Sequence, residues 1–382
     1  MTRPLEGKII VDFSQFLAGP LAGLKLADLG ARVIKIERPG TGDLCRHLYL
    51  TDTDVGGVNS LFQAINRNKE SFCADLKNPD DVALVKELLK KADIVLQNFR
   101  PGVIERLGLD YETIRQFNPT VIYGSVSGYG TTGPWVNRPG QDLLAQSLSG
   151  VTWLSGNKDM PPTPMGLAIA DMLAGNALVQ GVLAALVRSN ETGEGGKVET
   201  SLLEVLVDFQ FEVLTTYLND GKRDPDRAKV NNAHAYLSAP YGIYETKDSY
   251  IAIAMGPVDR LGKLMEDELI ASFTDSSLWF SKRDEIKALI QLKLLEQNTE
   301  HWMSIFAKHD VWASEVLNWD ELLESDAFKH LDMLQKLDHE EVEELMTTRL
   351  PIRFDGHVMN SSVAAPSLGQ HTESIIKEFL LK

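Results

Sequence analysis

The chain has 382 residues, 43% hydrophobic and 24% charged, enough apolar material for at least one sizeable core and room for two or three domains. Asp and Glu number 54 against 38 Lys and Arg, a formal net charge of -16, and such a field repels nucleic acid and anionic membrane surfaces, which are bound through clustered cations. Two cysteines, with no C-x-x-C and no H-E-x-x-H, exclude a disulfide-stapled scaffold and offer no metal-ligand spacing. In chain order, KIIVDFS (residues 8–14) reads as a buried strand, LAGLKLADLGA (21–31) as a helix, RVIKIE (32–37) as a second strand and SFCADL (71–76) as a short third. DDVALVKELLKKA (80–92) has amphipathic helical spacing, and ADIVLQNF (92–99) and PTVIYGSVS (119–127) are further strands separated by the helical ETIRQF (112–117). This alternation predicts an open α/β domain of parallel βαβ units with right-handed crossovers.

The middle of the chain continues with DLLAQSLSGV (142–151), an apolar helix carrying Asp171, then GGKVETS (195–201) and the long amphipathic LLEVLVDFQFEVLTTYL (202–218). A polar stretch, NDGKRDPDRAKVNN (219–232), predicts a linker. YGIYETKDSYIAIAM (241–255) reads as a hairpin turning at Lys247 and Asp248, and residues 256–347 as mostly helical and strongly charged. PIRFDG (351–356) predicts a strand and SIIKEFLLK (374–382) a terminal helix. The expected plan is a large Rossmann-like domain (1–218), the linker (219–232), a smaller α+β domain (233–330) and a C-terminal return to the large domain (331–382). The N-terminus lacks the apolar core of a signal peptide. Residues 160–187 contain Asp171, Asn176, Gln180 and several glycines, which favours a buried helix over a membrane span. The expected compartment is therefore the cytoplasm.

In an open parallel sheet, ligands bind beyond the carboxyl ends of the strands. Here those ends carry residues 14–20, 37–40, 98–102 and 128–130, rich in Gly, Pro, Arg and Asn. Such residues suit close backbone approach and phosphate contact, although Gly and Pro also simply turn a chain. A literal G-x-G-x-x-G at Gly128, Gly130 and Gly133 is followed by Pro134 and Trp135 where a helix should open, so it fails as a dinucleotide fingerprint. Glu37 ends the second strand where a ribose-binding acid would lie, but the first turn lacks the glycine triplet. Asp171 is the sharper signal, the only charged side chain in residues 160–187, among Gly166, Ala168, Ala170, Ala174 and Gly175. Small apolar neighbours let a bulky ligand approach, raise the carboxyl pKa and strip its hydration, and a dehydrated carboxylate attacks activated carbonyls. The competing role is a cap on a helix beginning at Met172.

PLEGKIIVDFSQFLAGPLAGLKLADLGARVIKIERPGTGD, NFRPGVIERLGLDYETI, NPTVIYGSVSGYG, RPGQDLLAQSLSG and LGQHTESII resemble the family III CoA-transferases, the group of formyl-CoA:oxalate and carnitine CoA-transferases. The resemblance runs from residue 4 to about 376. It implies an intertwined homodimer, with acyl-CoA thioesters and small carboxylates as substrates and no permanently bound cofactor. It also places the family's nucleophilic aspartate at Asp171. The matching positions for CoA contacts are Leu17, Ala18, Arg38, Ala74, Asp75, Leu76, Lys77, Asn98, Phe99, Arg100, Arg106, Pro139, Gly140, Gln141 and Asp142. Arg38, Lys77, Arg100 and Arg106 are the cations suited to the phosphates.

The formyl-CoA branch has Gln where Leu17 stands, aromatic residues near the positions of Leu48, Leu61 and Gln141, and a glycine run absent before Tyr250. NNAHAYLSAPYGIY followed by AIAMGP looks most like the bacterial acetyl-CoA:oxalate branch, with His234, Tyr236, Gly128 and Gly130 as candidates to face the small acid. Three alternatives stand beside this reading. A succinyl-CoA transferase for another dicarboxylate would differ only in its pocket. A 2-methylacyl-CoA racemase needs a His/Asp pair, and no His lies between His47 and His234. A non-catalytic CoA-binding protein would need no nucleophile at 171.

Overall fold

Six strands form one parallel sheet: β1 (Ile9–Asp12), β2 (Arg32–Glu37), β3 (Glu70–Cys73), β4 (Ile94–Gln97), β5 (Ile122–Ser127) and β6 (Gly196–Ser201). The inner four are almost wholly buried, as strands covered on both faces are, whereas the edge strand β6 is polar and partly exposed. The computed structural model describes residues 2–48, 54–55 and 58–379; the last three residues of the predicted terminal helix lie outside this set. The spatial order is β3-β2-β1-β4-β5-β6, with Ile10 opposite both Val33 and Ile94. Successive side chains point to opposite faces. Ile10, Val33 and Ile94 therefore join one apolar cluster, with the helices α1 (Ala18–Asp28) and α5 (Ile169–Thr192). Val11, Ile34 and Val95 join the other, with α3 (Pro79–Leu89). A short helix, α2 (Ser60–Asn66), precedes β3 and is capped by the Asn59 side chain.

Helix α4 (Asp142–Ser149) leads toward α5, which is 24 residues long and apolar enough to cross a membrane by length and composition alone. Its buried face is the stripe Ala170, Ala174, Leu178, Val182, Ala185 and Leu186, the i, i+4 spacing of a helix lying on a core. It starts at Ile169, earlier than the expected Met172. The amphipathic run at 202–218 is divided into Leu202–Phe209 and Phe211–Asn219. Between them Gln210 leaves helical geometry (φ -96, ψ 12) and its side chain donates to the Ser149 carbonyl.

The chain divides into two compact units: Met1–Leu148, Leu167–Asp208 and His330–Lys382 in the first, Ser149–Gly166 and Phe209–Lys329 in the second. Residues 331–382 thus belong with the sheet, whereas 149–166 and 209–218 group with residues 219–329 and not with the large domain expected for them. In the second unit Gly242–Glu245 and Tyr250–Ile253 form the expected hairpin, joined by the strand Ala313–Glu315. Its core gathers Tyr244, Ile251, Ile253, Ile290, Trp302 and Phe306. The polar stretch at 219–232 is strapped down. Buried Arg227 donates to the Ser155, Lys158 and Met160 carbonyls, and buried Lys287 to Asn231 O. Burial beside Arg283 pushes the Lys287 ammonium down to about 8. The predicted helical region stops at Leu331, and Leu334–Leu337 pairs antiparallel with Leu345–Thr348.

β3 lies at the sheet edge, and its outward backbone groups are met by the tail. His371 N donates to Ser71 O (3.0 Å), Ser71 N to His371 Nδ1 (3.2 Å), and Cys73 N to Thr372 Oγ1 (2.9 Å). The following helix, α6 (Thr372–Phe379), is tied down by Glu378 on Arg32, which also pairs with Glu70.

Candidate active site

From β1 the chain steps outward through β2 to β3, then returns to the other side of β1 with β4. The carboxyl ends of β1 and β4 therefore flank the crevice where open sheets bind ligands. Asn98, just past β4, splints the loop after β1: its Nδ2 donates to Gln15 O (2.7 Å) and its Oδ1 accepts from Gln15 N (2.8 Å). The next residue, Phe16, has φ 63 and an exposed ring. Leu17 follows as the residue before α1, packing toward Phe62 and Ile65, and Ala18 is buried at the helix start.

Beneath this loop lies a group of buried charges that no sequence motif announces. Lys69 Nζ reaches Asp12 Oδ2 (3.2 Å), Pro20 O and Asn66 Oδ1. Lys35 Nζ donates to Ser14 O (2.7 Å) and lies 2.8 Å from Asp43 Oδ2. Glu37 accepts from Arg46 Nε and Nη2 (2.8 and 2.7 Å) and from the Ser71 hydroxyl (2.7 Å) and Asp43 N (2.9 Å). Burial pushes the Lys69 ammonium down to about 8 despite Asp12. Lys35 is held above its ordinary value: desolvation opposes its charge, but Asp43, Asp12 and Glu37 outweigh it. Glu37 is thus fully engaged by protein groups, which removes the ribose-binding role its position suggested.

Asp171 sits in the first turn of α5, half-buried. It does not cap the helix; that task falls to Asp142, whose Oδ2 accepts from Ala170 N (3.0 Å) while its Oδ1 accepts from Gln146 Nε2 (2.7 Å). Among the described residues no group donates a hydrogen bond to the Asp171 carboxylate. Burial, then the nearby Asp142 charge, push its carboxyl up to about 7, against the helix N-terminal dipole, which favours the anion. One turn on, a β-carbon at Gly175 would lie 2.8 Å from Ala18 O, so only glycine lets α5 meet the start of α1 this closely. Residues four apart share a helix face, which aims Asp171 along the side of α5 that meets the loop after β1.

The remaining candidates of the first unit fall at the same edge of the sheet. Gly128 and Gly140 abut, a β-carbon on either meeting the other's α-carbon at 2.6 Å, and Tyr129 donates to Pro139 O (3.0 Å). Gly130 also follows β5, and its N donates to Ser127 Oγ. This joins the loop after β5 to Pro139, Gly140 and the exposed Gln141, and through Asp142 to α5. Arg38 follows β2, Ala74, Asp75, Leu76 and Lys77 follow β3, and Phe99 and Arg100 follow β4. Arg106 is one turn further, with Nη1 3.3 Å from a β-carbon built at Gly102. Arg38, Lys77, Arg100 and Arg106 are exposed and make no ion pair among the described residues. A cavity of about 140 Å³ beside β4 and β5 is lined by Gln97, Phe99, Arg100, Ser125, Ser127 and others.

His234 and Tyr236 belong to the second unit. His234 Nδ1 accepts from Tyr236 N (3.2 Å), its ring stands edge-on to Tyr236 and Tyr241, and the buried Tyr236 hydroxyl has no hydrogen-bond partner among the described residues. Burial, with Asp220 nearby, raises that hydroxyl's pKa.

Residues 5–372 match CoA-transferase family III. Succinyl-CoA:glutarate CoA-transferase of Mus musculus is 31% identical, over 99% of this chain and 87% of its own length. Acetyl-CoA:oxalate CoA-transferase of Acetobacter aceti is 31% identical, over 98% of this chain and 96% of its own. The crystal structure of a CAIB/BAIF family protein from Brucella suis superposes with a TM-score of 0.86 at 30% identity, covering 99% of this chain and 100% of that one. The chain belongs to CoA-transferase family III and is a CoA-transferase.

Proposed function

We propose that this transferase moves CoA from acetyl-CoA to oxalate by covalent chemistry at Asp171. The observation that carries the mechanism is a carboxylate with no partner of its own among the described residues, raised in pKa, at the start of α5. A carboxylate oxygen of Asp171 attacks the thioester carbonyl, the C–S bond breaks, and an aspartyl–acyl anhydride forms with release of CoA thiolate. The thiolate attacks the aspartyl carbonyl, expelling the donor acid and leaving an aspartyl-CoA thioester. The acceptor carboxylate displaces the thiolate to give a second anhydride. Attack of the thiolate on the acceptor carbonyl completes the new acyl-CoA and restores Asp171. Each step exchanges activated carbonyls of similar energy, so positioning and exclusion of water do most of the work.

The donor and acceptor rest on the NNAHAYLSAPYGIY segment and on the acetyl-CoA:oxalate relative. The mouse relative, equally similar, is named for succinyl-CoA and glutarate, and this makes succinyl-CoA with a longer dicarboxylate the second reading. A panel of acyl-CoA donors against oxalate, glutarate and mesaconate, with products weighed by mass spectrometry, separates them. Turnover of succinyl-CoA with glutarate above that of acetyl-CoA with oxalate overturns the first.

In this reading Leu17, Ala18, the loops after β2, β3 and β4, Arg106 and residues 139–142 surround CoA. Strand order β3-β2-β1-β4-β5-β6 supports a Rossmann-like large domain with its ligand at the carboxyl edge. Arg38→Ala is expected to raise the Michaelis constant for acyl-CoA by about 10- to 150-fold, the factor of one charge-assisted hydrogen bond. Dephospho-CoA thioesters are the control: equal weakening of both ligands shows that Arg38 does not read the 3′-phosphate.

The proposed assembly is an interlocked homodimer, supported by the return of residues 330–382 to the first unit after the second unit is complete. Light scattering on a sizing column is expected to give twice the 42.4 kDa protomer mass at every dilution, because unthreading requires unfolding. A stable, active 42.4 kDa species overturns it.

A further inference from the structure

Phe16 holds a left-handed backbone conformation (φ 63) that glycine adopts freely and a bulky aromatic residue adopts only when its surroundings impose it. Here the surroundings do so through hydrogen bonds. Asp43 Oδ1 accepts from Phe16 N (3.1 Å) and Cys45 N (2.9 Å), and Asp43 Oδ2 lies 2.8 Å from Lys35 Nζ. Lys35 in turn donates to Ser14 O (2.7 Å), Asp12 accepts from Ser14 N (2.9 Å), and Asn98 brackets Gln15 from both sides. The main chain at Ser14, Gln15 and Phe16 is thus pinned residue by residue by side chains from β1, β2 and the loops after β2 and β4.

Asp43 and Lys35 have no exposed side-chain surface. A buried ion pair contributes little net stability over well-packed apolar residues, so stability alone gives no reason for charges here. What the pair does fix is a strained loop whose exposed ring precedes Leu17 and Ala18 at the crevice.

We infer that Asp43 and Lys35 are positioning residues for CoA transfer, holding Phe16 in its left-handed conformation so that its ring and the Leu17–Ala18 main chain form one wall of the acyl-CoA site. This rests on the placement of acyl-CoA at the carboxyl edge of the sheet.

The test is a double-mutant cycle on the full-length enzyme, reading kcat and KM for acyl-CoA together with thermal melting. Asp43→Ala, which removes the acceptor for Phe16 N, is expected to raise KM roughly 5- to 30-fold, the equilibrium factor of a left-handed residue left unsupported, and to change kcat less. In a Phe16→Gly background, where the conformation carries no penalty, the same substitution is expected to raise KM less than about threefold. An equal increase in both backgrounds overturns the inference, since Asp43 would then act through something other than Phe16. Phe16→Ala alters only an exposed side chain and keeps the test open if Asp43→Ala fails to fold. It is expected to raise KM severalfold at unchanged melting temperature, and an unchanged KM overturns the wall. Arg38→Ala, run alongside, tells the two readings apart: a KM shift there with none for Phe16→Ala removes the wall alone, whereas no shift for either removes acyl-CoA from this edge.

Discussion

Asp171→Ala is expected to abolish CoA transfer, with a loss on the order of 10⁶ if the side chain carries every covalent intermediate. The protein should remain folded, because among the described residues the Asp171 side chain makes no hydrogen bond and the helix end is held by Asp142. Quenching wild-type enzyme and acyl-CoA with hydroxylamine or borohydride should tag this one side chain, detectable by mass. Retention of more than a few per cent of activity by the Ala variant would sink the covalent route. The pH dependence comes from the same environment. The ionised form attacks, and its carboxyl is pushed up to about 7. The rate at limiting acyl-CoA should therefore fall about tenfold for each pH unit on the acid side of that value. The acid limb of an ordinary exposed aspartate, near pH 4, would contradict the burial argument. Uptake of solvent deuterium at the acyl α-carbon would instead favour proton exchange.

Arg46→Met is expected to be strongly destabilising without touching the proposed nucleophile. The guanidinium is buried, bonded twice to Glu37 and once to Pro366 O (3.0 Å), and stacked 3.8 Å over the Phe62 ring. Removing one member of such a pair strands the other charge in a dry site and costs about 3–5 kcal/mol, a large part of a typical total of about 5–15 kcal/mol. Denaturant titration measures it directly. Glu37→Gln with Arg46→Met should recover part of the loss, since no unpaired charge remains. A single variant within about 1 kcal/mol of wild type would mean that water or a neighbouring cation reaches Glu37.

The strands were legible because IIV and VLQ bury both faces and read as short apolar runs. Asp171 stands out in the sequence as a candidate because a lone charge inside a small-residue stretch has few roles. The start of its helix was not legible: the residue that caps it lies 28 positions earlier, and no local pattern announces a cap borrowed from another helix. The buried charges were the larger omission. Asp12, Lys35 and Glu37 sit within apolar strands, a signal that could have marked them, but Lys69 meets Asp12 across 57 residues and Glu37 meets Arg46 around a loop. Their partners exist only in three dimensions, and Glu37 by itself read as the place of a ribose-binding acid. The NDGKRDPDRAKVNN stretch misled for the converse reason. Its composition is that of a free linker, while Arg227, Arg283 and Lys287 turn its own carbonyls and those of its neighbours into anchoring points.

The closure of β3 by the tail sets the order in which this protein can be made. Ser71 waits for His371, which is translated 300 residues later. At ordinary elongation rates that is roughly 15–60 s, during which the nascent sheet presents an unpaired strand edge able to template association with other chains. Emergence of residues 369–379, not of the first βαβ units, is therefore the moment at which the β3 edge is closed to such pairing. A change that loosens residues 369–379 shows itself first as loss of soluble yield during expression rather than as loss of activity in the protein that survives.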